Sequence, residues 1–316
     1  MEWTDRFCRY FLRLISHHTL LYTEMVNSGT IKYGDRDYHL GFDEAEHPLA
    51  LQLGGSDPEE LALAAKAATE YGYDEINLNC GCPSDRVQKG RFGACLMAEP
   101  SLVAECIRAM GDVTHLPVTV KSRIGIDDLD SYQHLLDFVG PVADAGCETF
   151  IVHARKAWLQ GLSPKQNREI PPLDYQRVYQ LKKDLPSLEI IINGGIKTLD
   201  EIEEHLLHVD GVMIGREAYH NPYLLAKVDQ RFFGDSHPIP SRVEVFEQFI
   251  EFASQHVENG LKLSHMTRHI MGLFHGIPGG RKFRRHLSEN AHIKGAGKEV
   301  MYGALEAMHS EIERSL

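Results

Sequence analysis

No apolar run in this sequence approaches the ~18 residues that a membrane-spanning helix requires. Residues 1–6 also lack the basic and apolar regions of a signal peptide. We therefore expect a cytoplasmic protein that does not contact a membrane. The six cysteines are scattered, and no second close pair joins Cys80 and Cys82 to complete a zinc site. We predict free thiols and no metal centre.

Positive charge is also scarce, because 33 Lys and Arg residues face 45 Asp and Glu residues, a formal net charge of −12. This balance argues against nonspecific binding of a polyanion, since phosphate contacts need clustered Lys and Arg. One short segment differs from the rest. Between Gly276 and Lys298, six basic residues stand against one glutamate, which leaves a net charge of +5. Such a cluster is typical of either a polyanion-binding surface or a solvated basic face.

The sequence does contain a regular alternation of strand-like and helix-like segments up to Gly215. The strand-like runs are 20–25, 48–53, 74–79, 117–122, 148–153, 189–193 and 211–215. Parallel strands joined by helical crossovers form either an open doubly wound sheet or a closed barrel. Seven strands are one short of a (β/α)8 TIM barrel, and the chain begins in a helix over residues 4–16, capped by Thr4. A barrel whose first strand lies upstream of Met1 explains both features.

From Pro238 onward the pattern consists of helices alone. Ser241 and Glu244 form a capping box that opens one helix, and apolar residues repeat at helical spacing from Met301 to Ile312. We therefore predict two domains, a TIM-barrel domain over residues 1–235 and a C-terminal helical domain over residues 236–316.

Polar residues end several of the predicted strands, where enzymes built on parallel strands keep their chemistry. Gln52, Asn79, Lys121 and His153 each lie at or near a strand end, and Cys82 follows the third strand in a tight loop. Each residue alone is more often a satisfied structural residue, since a buried Lys or His is costly unless it is paired. If they converge at one barrel mouth, they are better interpreted as ligands of a polar, anionic cofactor.

Glycine motifs end the last two strands, as Asn193-Gly194-Gly195 and as Gly215-Arg216. The loops at this place in such barrels commonly bind a phosphate, because glycines let backbone N–H groups approach it. Either motif alone would be an ordinary strand-ending turn. Together they predict a phosphate site, to which Arg216 adds positive charge.

Several motifs make this interpretation specific. They are Asn79-Cys80-Gly81-Cys82-Pro83-Ser84, Val120-Lys121-Ser122-Arg123, Val152-His153-Ala154-Arg155, Asn193-Gly194-Gly195 and Gly215-Arg216. With them, essentially the whole chain resembles the tRNA-dihydrouridine synthases, FMN-dependent barrels with a C-terminal helical domain. The segments 167–172 and 278–285 resemble the A-type bacterial subfamily, which reduces uridines at positions 20 and 20a of the tRNA D-loop.

The resemblance implies a role for individual residues. FMN would be held by Gln52, Lys121, His153, Asn193, Gly194, Gly195, Gly215 and Arg216. The partner, tRNA, would be contacted by Asn79, Lys165, Arg168, Arg281 and Arg284. Cys82 would donate a proton to C5 of uracil, while reduced flavin supplies a hydride to C6. NADPH would bind transiently over the flavin, since no second glycine-rich dinucleotide fingerprint is present, and no obligate protein partner is evident.

One family feature is absent. The first strand of the family carries an Ala-Pro-Met signature that packs beneath the flavin, and this sequence does not contain it. Two alternatives therefore stay open. The chain could be an FMN barrel that acts on a free pyrimidine, although a small substrate needs no basic helical surface. It could also be a non-catalytic tRNA-binding module without a flavin.

Overall fold

A computed structural model describes the backbone of residues 3–315 and the side chains of residues 3–85 and 87–309. The described residues form one sheet of eight strands. These are β1 (Leu21–Tyr22), β2 (Val26–Asn27), β3 (Leu49–Gly54), β4 (Glu75–Cys80), β5 (Val118–Arg123), β6 (Thr149–His153), β7 (Glu189–Asn193) and β8 (Gly211–Met213).

All neighbouring strands are parallel, and their order is β1-β3-β4-β5-β6-β7-β8, with β2 also paired to β3. Since β1 and β2 lie along the same edge of β3, the sheet fills seven strand places in sequence order. This arrangement is that of a (β/α)8 TIM barrel one strand short, as predicted. Among the described residues, no strand pairs with the outer edges of β1 and β8.

The described helices alternate with the strands and then follow one another without strands. They are α1 (Arg6–Arg13), α2 (Ser28–Tyr33), α3 (Arg36–Leu40), α4 (Pro58–Tyr71), α5 (Asp85–Lys89), α6 (Pro100–Gly111), α7 (Tyr132–Asp144), α8 (Tyr175–Asp184), α9 (Leu199–Leu206), α10 (Arg216–His220), α11 (Val228–Phe232), α12 (Arg242–Glu258), α13 (Leu263–Thr267), α14 (Gly280–Asn290) and α15 (Lys298–Ser315). Short 3₁₀ helices occur at Glu44–Glu46, Gly93–Ala98, Gln166–Arg168 and Pro222–Lys227. Among the helices described, none is both long enough and apolar enough to cross a membrane.

Side chains at the helix ends explain most of these boundaries. The predicted capping box of α12 is present, because the Ser241 side chain accepts from the N–H of Glu244, whose carboxylate accepts from the N–H of Ser241. The helix predicted over residues 4–16 is shorter in the structure, since α1 ends at Arg13, and its predicted cap was wrong by one residue. Asp5, not Thr4, caps this helix, since its Oδ1 accepts from the N–H groups of Phe7 and Cys8 at 3.0 and 3.1 Å.

The two faces of strands β4 to β7 differ in chemistry. Even-numbered residues such as Leu78, Val120 and Val152 are fully buried and apolar. Odd-numbered residues are largely polar, and Lys121 on β5 reaches Asn193 on β7 across the intervening β6. Because side chains alternate along a strand, the odd-numbered residues of β4 to β7 share the concave face of the sheet. On β3 the even-numbered residues do so, since Gln52 lies beside Asn77 in the strand register.

By compactness the described chain divides into two units, residues 20–215 and residues 3–19 with 216–315. The first unit contains the sheet. In the second, α1 packs with the C-terminal helices, since the rings of Phe11 and Phe249 lie 5.5 Å apart. The predicted domain boundary at residue 235 therefore differs from the compact division at Gly215, and α1 groups with the helices. Of the apolar pattern predicted for α15, Met301 and Met308 are buried, and the Ile312 side chain lies outside the described residues.

Candidate active site

Cys82, the predicted proton donor, lies in the loop that follows β4. The Oδ1 atom of Asn79 accepts hydrogen bonds from the backbone N–H groups of Gly81 and Cys82, at 3.1 and 3.0 Å. The carbonyl oxygen of Cys82 accepts from the N–H of Ala94 at 2.9 Å. Gly93 has a φ of 75°, and a Cβ there would lie 2.6 Å from that carbonyl oxygen, so this close approach requires glycine. The loop is thus held from both sides.

All six cysteines are free, as predicted, but their environments differ. Cys82 and Cys95 are half-buried, whereas Cys8, Cys80, Cys106 and Cys147 are buried. Burial raises the pKa of the Cys80 thiol well above its ordinary value, which keeps this thiol neutral and unreactive. Of the two cysteines in the predicted motif, only Cys82 is therefore placed to react.

Lys121 projects from β5 onto the concave face. Its Nζ donates to Asn193 Oδ1 at 3.2 Å, and Asn193 Nδ2 in turn donates to the carbonyl oxygen of Met213 at 2.8 Å. Burial, and secondly the charge of Arg123, lower the pKa of Lys121 to about 8. The ammonium group is therefore predominantly charged at neutral pH, and among the described side chains it has no carboxylate hydrogen-bond partner.

His153, at the end of β6, is buried and neutral. Burial is the largest cause that lowers its pKa well below the ordinary value, and the charges of Arg123 and Lys121 act in the same direction. The imidazole lies against Gly194, where an added Cβ would come within 2.5 Å of His153 Cδ2. A neutral ring beside bare backbone can serve as a hydrogen-bond partner for a cofactor.

The glycine motif after β7 has the geometry that backbone recognition requires. Gly194 and Gly195 have φ values of 118° and 78°, and the Tyr175 hydroxyl donates to the Gly194 carbonyl oxygen at 2.7 Å. The second glycine motif lies where the two compact units meet along the chain. Gly215 is the last residue of the first unit, and Arg216 begins the C-terminal segment of the second.

Arg123 is a central residue of the site that the sequence analysis quoted only as part of a motif. Its side chain donates to the carbonyl oxygens of Gly81 (2.9 Å), Asn167 (3.0 Å) and Lys156 (3.2 Å). Burial is the main cause that lowers its pKa to about 10. The guanidinium therefore remains charged while it joins the Cys82 loop to the long loop after β6.

The loop after β6 carries two predicted tRNA contacts, Lys165 and Arg168, both exposed. Buried Asn167 organises this loop, since its side chain accepts from the N–H of Trp158 at 2.8 Å and donates to the carbonyl oxygen of Trp158 at 2.9 Å. The Nζ of Lys156 lies 4.0 Å from the centre of the Trp158 ring. The two exposed cations thus stand on an ordered segment.

The other predicted tRNA contacts lie on α14 in the second unit. Arg281 is exposed and Arg284 is half-buried, and their three-residue spacing places them on one side of the helix. Within the described part of the chain, neither forms an ion pair. Arg285 differs, because its Nε lies 2.7 Å from Glu289 Oε1.

The structure brings most of the predicted first-unit residues together at the carboxyl ends of the strands. Asn79 and Gln52 share a hydrogen bond of 2.9 Å, Lys121 bonds to Asn193, and His153 contacts Gly194. Other interior polar residues were missed, notably Glu75, Asn77 and Thr119. The polar residues at alternate positions of β4 were a readable signal, because the concave face of a strand buried on both sides is ordinarily apolar.

A histidine and aspartate cluster lies in the second unit. Ligand atoms of His17, Asp229 and His237 fall within 4.8 Å of one another. The rings of His17 and His237, however, are stacked with an interplanar angle of 17° and a centroid distance of 4.4 Å, so one ion cannot lie in both ring planes. Asp229 accepts from the Ser16 hydroxyl at 2.6 Å and from the His17 N–H at 2.5 Å. The carboxylate thus acts as a hydrogen-bonded anchor for residues 16 and 17.

The fold and the site together define an α/β-barrel enzyme with a cationic mouth and an accessible thiol. A solved old yellow enzyme homologue from Zymomonas mobilis has the same fold, with a TM-score of 0.51 and 11% identity over 77% of this chain and 87% of that chain. The chain matches the family model of the dihydrouridine synthases (Dus) over residues 1–311 and belongs to this family.

Curated relatives are similar over nearly their whole length. The tRNA-dihydrouridine(20/20a) synthase of Vibrio vulnificus (strain CMCP6) is 60% identical over 314 residues, which are 99% of this chain and 96% of the relative. The tRNA-dihydrouridine(20/20a) synthase of Escherichia coli (strain K12) is 61% identical over 307 residues, which are 97% of this chain and 89% of the relative.

Proposed function

We propose that the protein reduces uridine to 5,6-dihydrouridine at positions 20 and 20a of tRNA. Membership of the dihydrouridine synthase family and the names of relatives near 60% identity support this activity. The observation that carries it is the half-buried Cys82 thiol, held beside Asn79 at the carboxyl ends of the strands. A thiol in this position can protonate a carbon of a base that enters the barrel mouth.

The residues present fit a flavin that carries a phosphate. The bare backbone of Gly194 and Gly195 lies beside neutral His153, and the Lys121 ammonium adds positive charge. We assign FMN to these four residues together with Gln52, Asn193, Gly215 and Arg216. When bound, FMN supplies the hydride that C6 of uracil accepts, and NADPH is the proposed reductant.

In this assignment the protein has three tasks. Lys121 stabilises negative charge on the cofactor, since a cation beside the ring lowers the energy of an anionic form. Asn79 holds the Cys82 loop through two backbone N–H groups, and the second N–H of its side chain, which has no partner among the described residues, can donate to the base. The Cys82 thiol donates its proton to C5 of uracil, so the thiolate must be reprotonated before the next turnover.

We infer that tRNA is bound by cations on two elements. Lys165 and Arg168 stand on the ordered loop after β6, while Arg281 and Arg284 lie on α14 without carboxylate partners among the described residues. RNA is recognised largely through its shape and phosphates, and an enzyme acting on a base must first extrude it. A protein that reduced a free pyrimidine would need neither set of cations.

The direct test is the product. Purified protein is incubated with FMN, NADPH and an unmodified tRNA transcript, and in parallel with uridine monophosphate at the same uridine concentration. We expect dihydrouridine in the transcript, mapped by mass spectrometry to positions 20 and 20a, and none in the mononucleotide. Reduction of the mononucleotide alone would identify a free-pyrimidine enzyme, and tRNA binding without flavin or product would identify a non-catalytic module.

A further inference from the structure

A continuous line of polar side chains crosses the interior of the first unit, from the start of β4 to the Cys82 loop. Glu75, Asn77 and Asn79 occupy alternate positions of β4, and each is at most 9% exposed. In the strand register, Asn77 lies beside Gln52 of β3 on one side and Thr119 of β5 on the other. Buried polar groups at such a density must be hydrogen-bonded to one another.

Each member of this line bonds to the next. The Thr119 hydroxyl donates to Glu75 Oε1 at 2.7 Å, and Asn77 Nδ2 donates to Thr119 Oγ1 at 2.9 Å. Gln52 Nε2 donates to Asn77 Oδ1 at 2.9 Å. Asn79 Nδ2 then donates to Gln52 Oε1, also at 2.9 Å. Four hydrogen bonds therefore connect a buried carboxyl group to the residue that holds the Cys82 loop.

The hydrogen bonds of this line can run in only one direction, because the groups at its two ends fix which atom donates and which accepts. Backbone N–H groups can only donate, so Asn79 must present its oxygen to Gly81 and Cys82. Its nitrogen then faces the oxygen of Gln52, and the same choice is imposed on the next amide. At the other end Glu75 Oε1 accepts from Thr119 and also from the Tyr22 hydroxyl at 2.7 Å. Donors and acceptors match at every step.

We propose that Glu75 and Thr119 are positioning residues that orient the amides of Asn77, Gln52 and Asn79, and thereby hold the loop of Cys82. The role of this loop in uridine reduction rests on the proposed function, whereas the orientation itself does not. If the oxygen and nitrogen of one of these amides were exchanged, its N–H would face another donor at one contact. At the other contact its oxygen would face another oxygen. A reversal that reached Asn79 would turn its N–H toward two backbone donors and release the loop.

The sequence offers a matched pair of substitutions. Thr119→Val removes the hydroxyl that joins Glu75 to the amides at almost constant volume. Thr149→Val removes a buried hydroxyl from the next strand, where Thr149 donates to the exposed Glu189 carboxylate at 2.7 Å, outside this line. Both variants lose one hydroxyl-to-carboxylate hydrogen bond, but only the first interrupts the path to Cys82.

The readout is the rate at which iodoacetamide alkylates Cys82, measured peptide by peptide in flavin-loaded protein without tRNA or NADPH. Alkylation of Cys95, the other half-buried thiol, is the internal reference. We expect Thr119→Val to accelerate Cys82 alkylation about tenfold, the size of effect that one lost buried hydrogen bond produces. Thr119→Ser, which keeps a hydroxyl, should reverse most of this change. In turnover, kcat for tRNA should fall, and Thr119→Ser should restore it.

A second pair of variants, at Glu75, tests the proposal if Thr119→Val does not fold. Glu75→Gln keeps an acceptor oxygen at the end of the line, whereas Glu75→Met keeps the length and removes every acceptor. The proposal requires faster Cys82 alkylation in Glu75→Met than in Glu75→Gln. Equal rates in that pair, or equal rates in Thr119→Val and Thr149→Val, would overturn it. If the wild type formed no dihydrouridine, the proposed function would fail, and alkylation would still decide the role of the line.

Discussion

Cys80 and Cys82 are two residues apart, yet they have different chemistry because of where their side chains lie. Cys80 is the last residue of β4 and is fully buried, so that its thiol stays neutral. Cys82 lies beyond the strand in a loop and is half-buried. A proton donor must reach its substrate and must be able to recover its proton, and of these two thiols only that of Cys82 is exposed enough for both.

Replacement of Cys82 by alanine tests the assigned proton transfer. We expect Cys82→Ala to reduce its flavin with NADPH at the wild-type rate and to form dihydrouridine at least about 100-fold more slowly, the usual contribution of a general acid. Stopped-flow absorbance follows the first reaction, and mass spectrometry of tRNA follows the second. Cys95→Ala, at the other half-buried thiol, is the control and should behave as wild type. A wild-type product yield from Cys82→Ala would refute the assignment.

Lys121 should leave a signature in the pH dependence of stability. Burial, chiefly, lowers its folded-state pKa from 10.5 to about 8, so between these values the unfolded chain binds more protons than the folded chain. The Lys121 contribution to the free energy of unfolding must therefore rise as the pH increases from about 8 to 10.5. Below pH 8 the side chain is protonated in both states, so the full cost of burying its charge is present. We expect the difference in free energy of unfolding between flavin-free wild type and Lys121→Met to rise over this window in urea titrations.

The control for this measurement is an exposed lysine. Lys183→Met, on the surface of α8, should show no such slope relative to wild type. A flat difference for Lys121→Met as well would mean that the Lys121 ammonium is solvated, and its assignment as a desolvated cation beside the flavin would be wrong.

At the scale of elements, α14 combines a buried apolar face with a row of cations. Phe283 and Leu287 are buried, and the Phe283 ring lies 5.1 Å from that of Phe246 on α12. Because the helix is anchored by this face, the positions of Arg281 and Arg284 are defined. Helical periodicity therefore places these two cations along one edge of the helix.

The salt dependence of tRNA binding tests this edge. If Arg281 and Arg284 each neutralise a phosphate, the double variant Arg281→Ala with Arg284→Ala should weaken binding and lower the slope of log Kd against log salt concentration by about two. Arg285→Ala is the matched control on the same helix, since Arg285 is already paired with Glu289. It should change the slope less. An unchanged slope in the double variant would show that the edge is only a solvated basic face.

The residue before α14 has both a left-handed backbone conformation and a close contact with another helix. A second glycine with a similar conformation but no such contact allows the two effects to be measured separately. Gly279 has a φ of 76°, and a Cβ there would lie 2.5 Å from the carbonyl oxygen of Met308 on α15. Gly276 has a similar φ of 73°, but a Cβ there would meet nothing within 4 Å. We expect Gly279→Ala to destabilise the protein by about 1 kcal/mol or more beyond Gly276→Ala in thermal unfolding. Equal losses would mean that backbone conformation alone decides the cost.

At the scale of the whole molecule, a net charge of −12 coexists with the basic segment between Gly276 and Lys298. A ligand that binds only the folded chain stabilises it by mass action, so cofactor binding can be read from the unfolding of the entire protein.

Flavin binding should therefore raise the melting temperature of the flavin-free protein. At a free FMN concentration 100 times its Kd, the gain is about 2.7 kcal/mol. Riboflavin has the same ring without the phosphate and is the matched probe for the two glycine motifs. We expect FMN to raise Tm more than riboflavin at equal concentration. Equal shifts would refute the phosphate site, and no shift with either would favour a tRNA-binding module without flavin.

Much of this protein could be predicted from local patterns. The capping box at Ser241 is present, and β7 has its predicted bounds. These features depend on residues a few positions apart, whose preferences act before any tertiary contact forms. The residue types at the strand ends were likewise readable, because parallel strands bring their carboxyl ends to one edge.

Other features were decided only by the tertiary structure. The packing of α1 with C-terminal helices joins residues more than 200 positions apart, such as Phe11 and Phe249. The pKa of Lys121 and the direction of the amide line from Glu75 to Cys82 depend on neighbours from several strands. Sequence alone determined which groups the barrel mouth could contain. Their burial and hydrogen-bond partners were set by long-range contacts, since the free energy of a buried polar group depends on the residues that surround it in space.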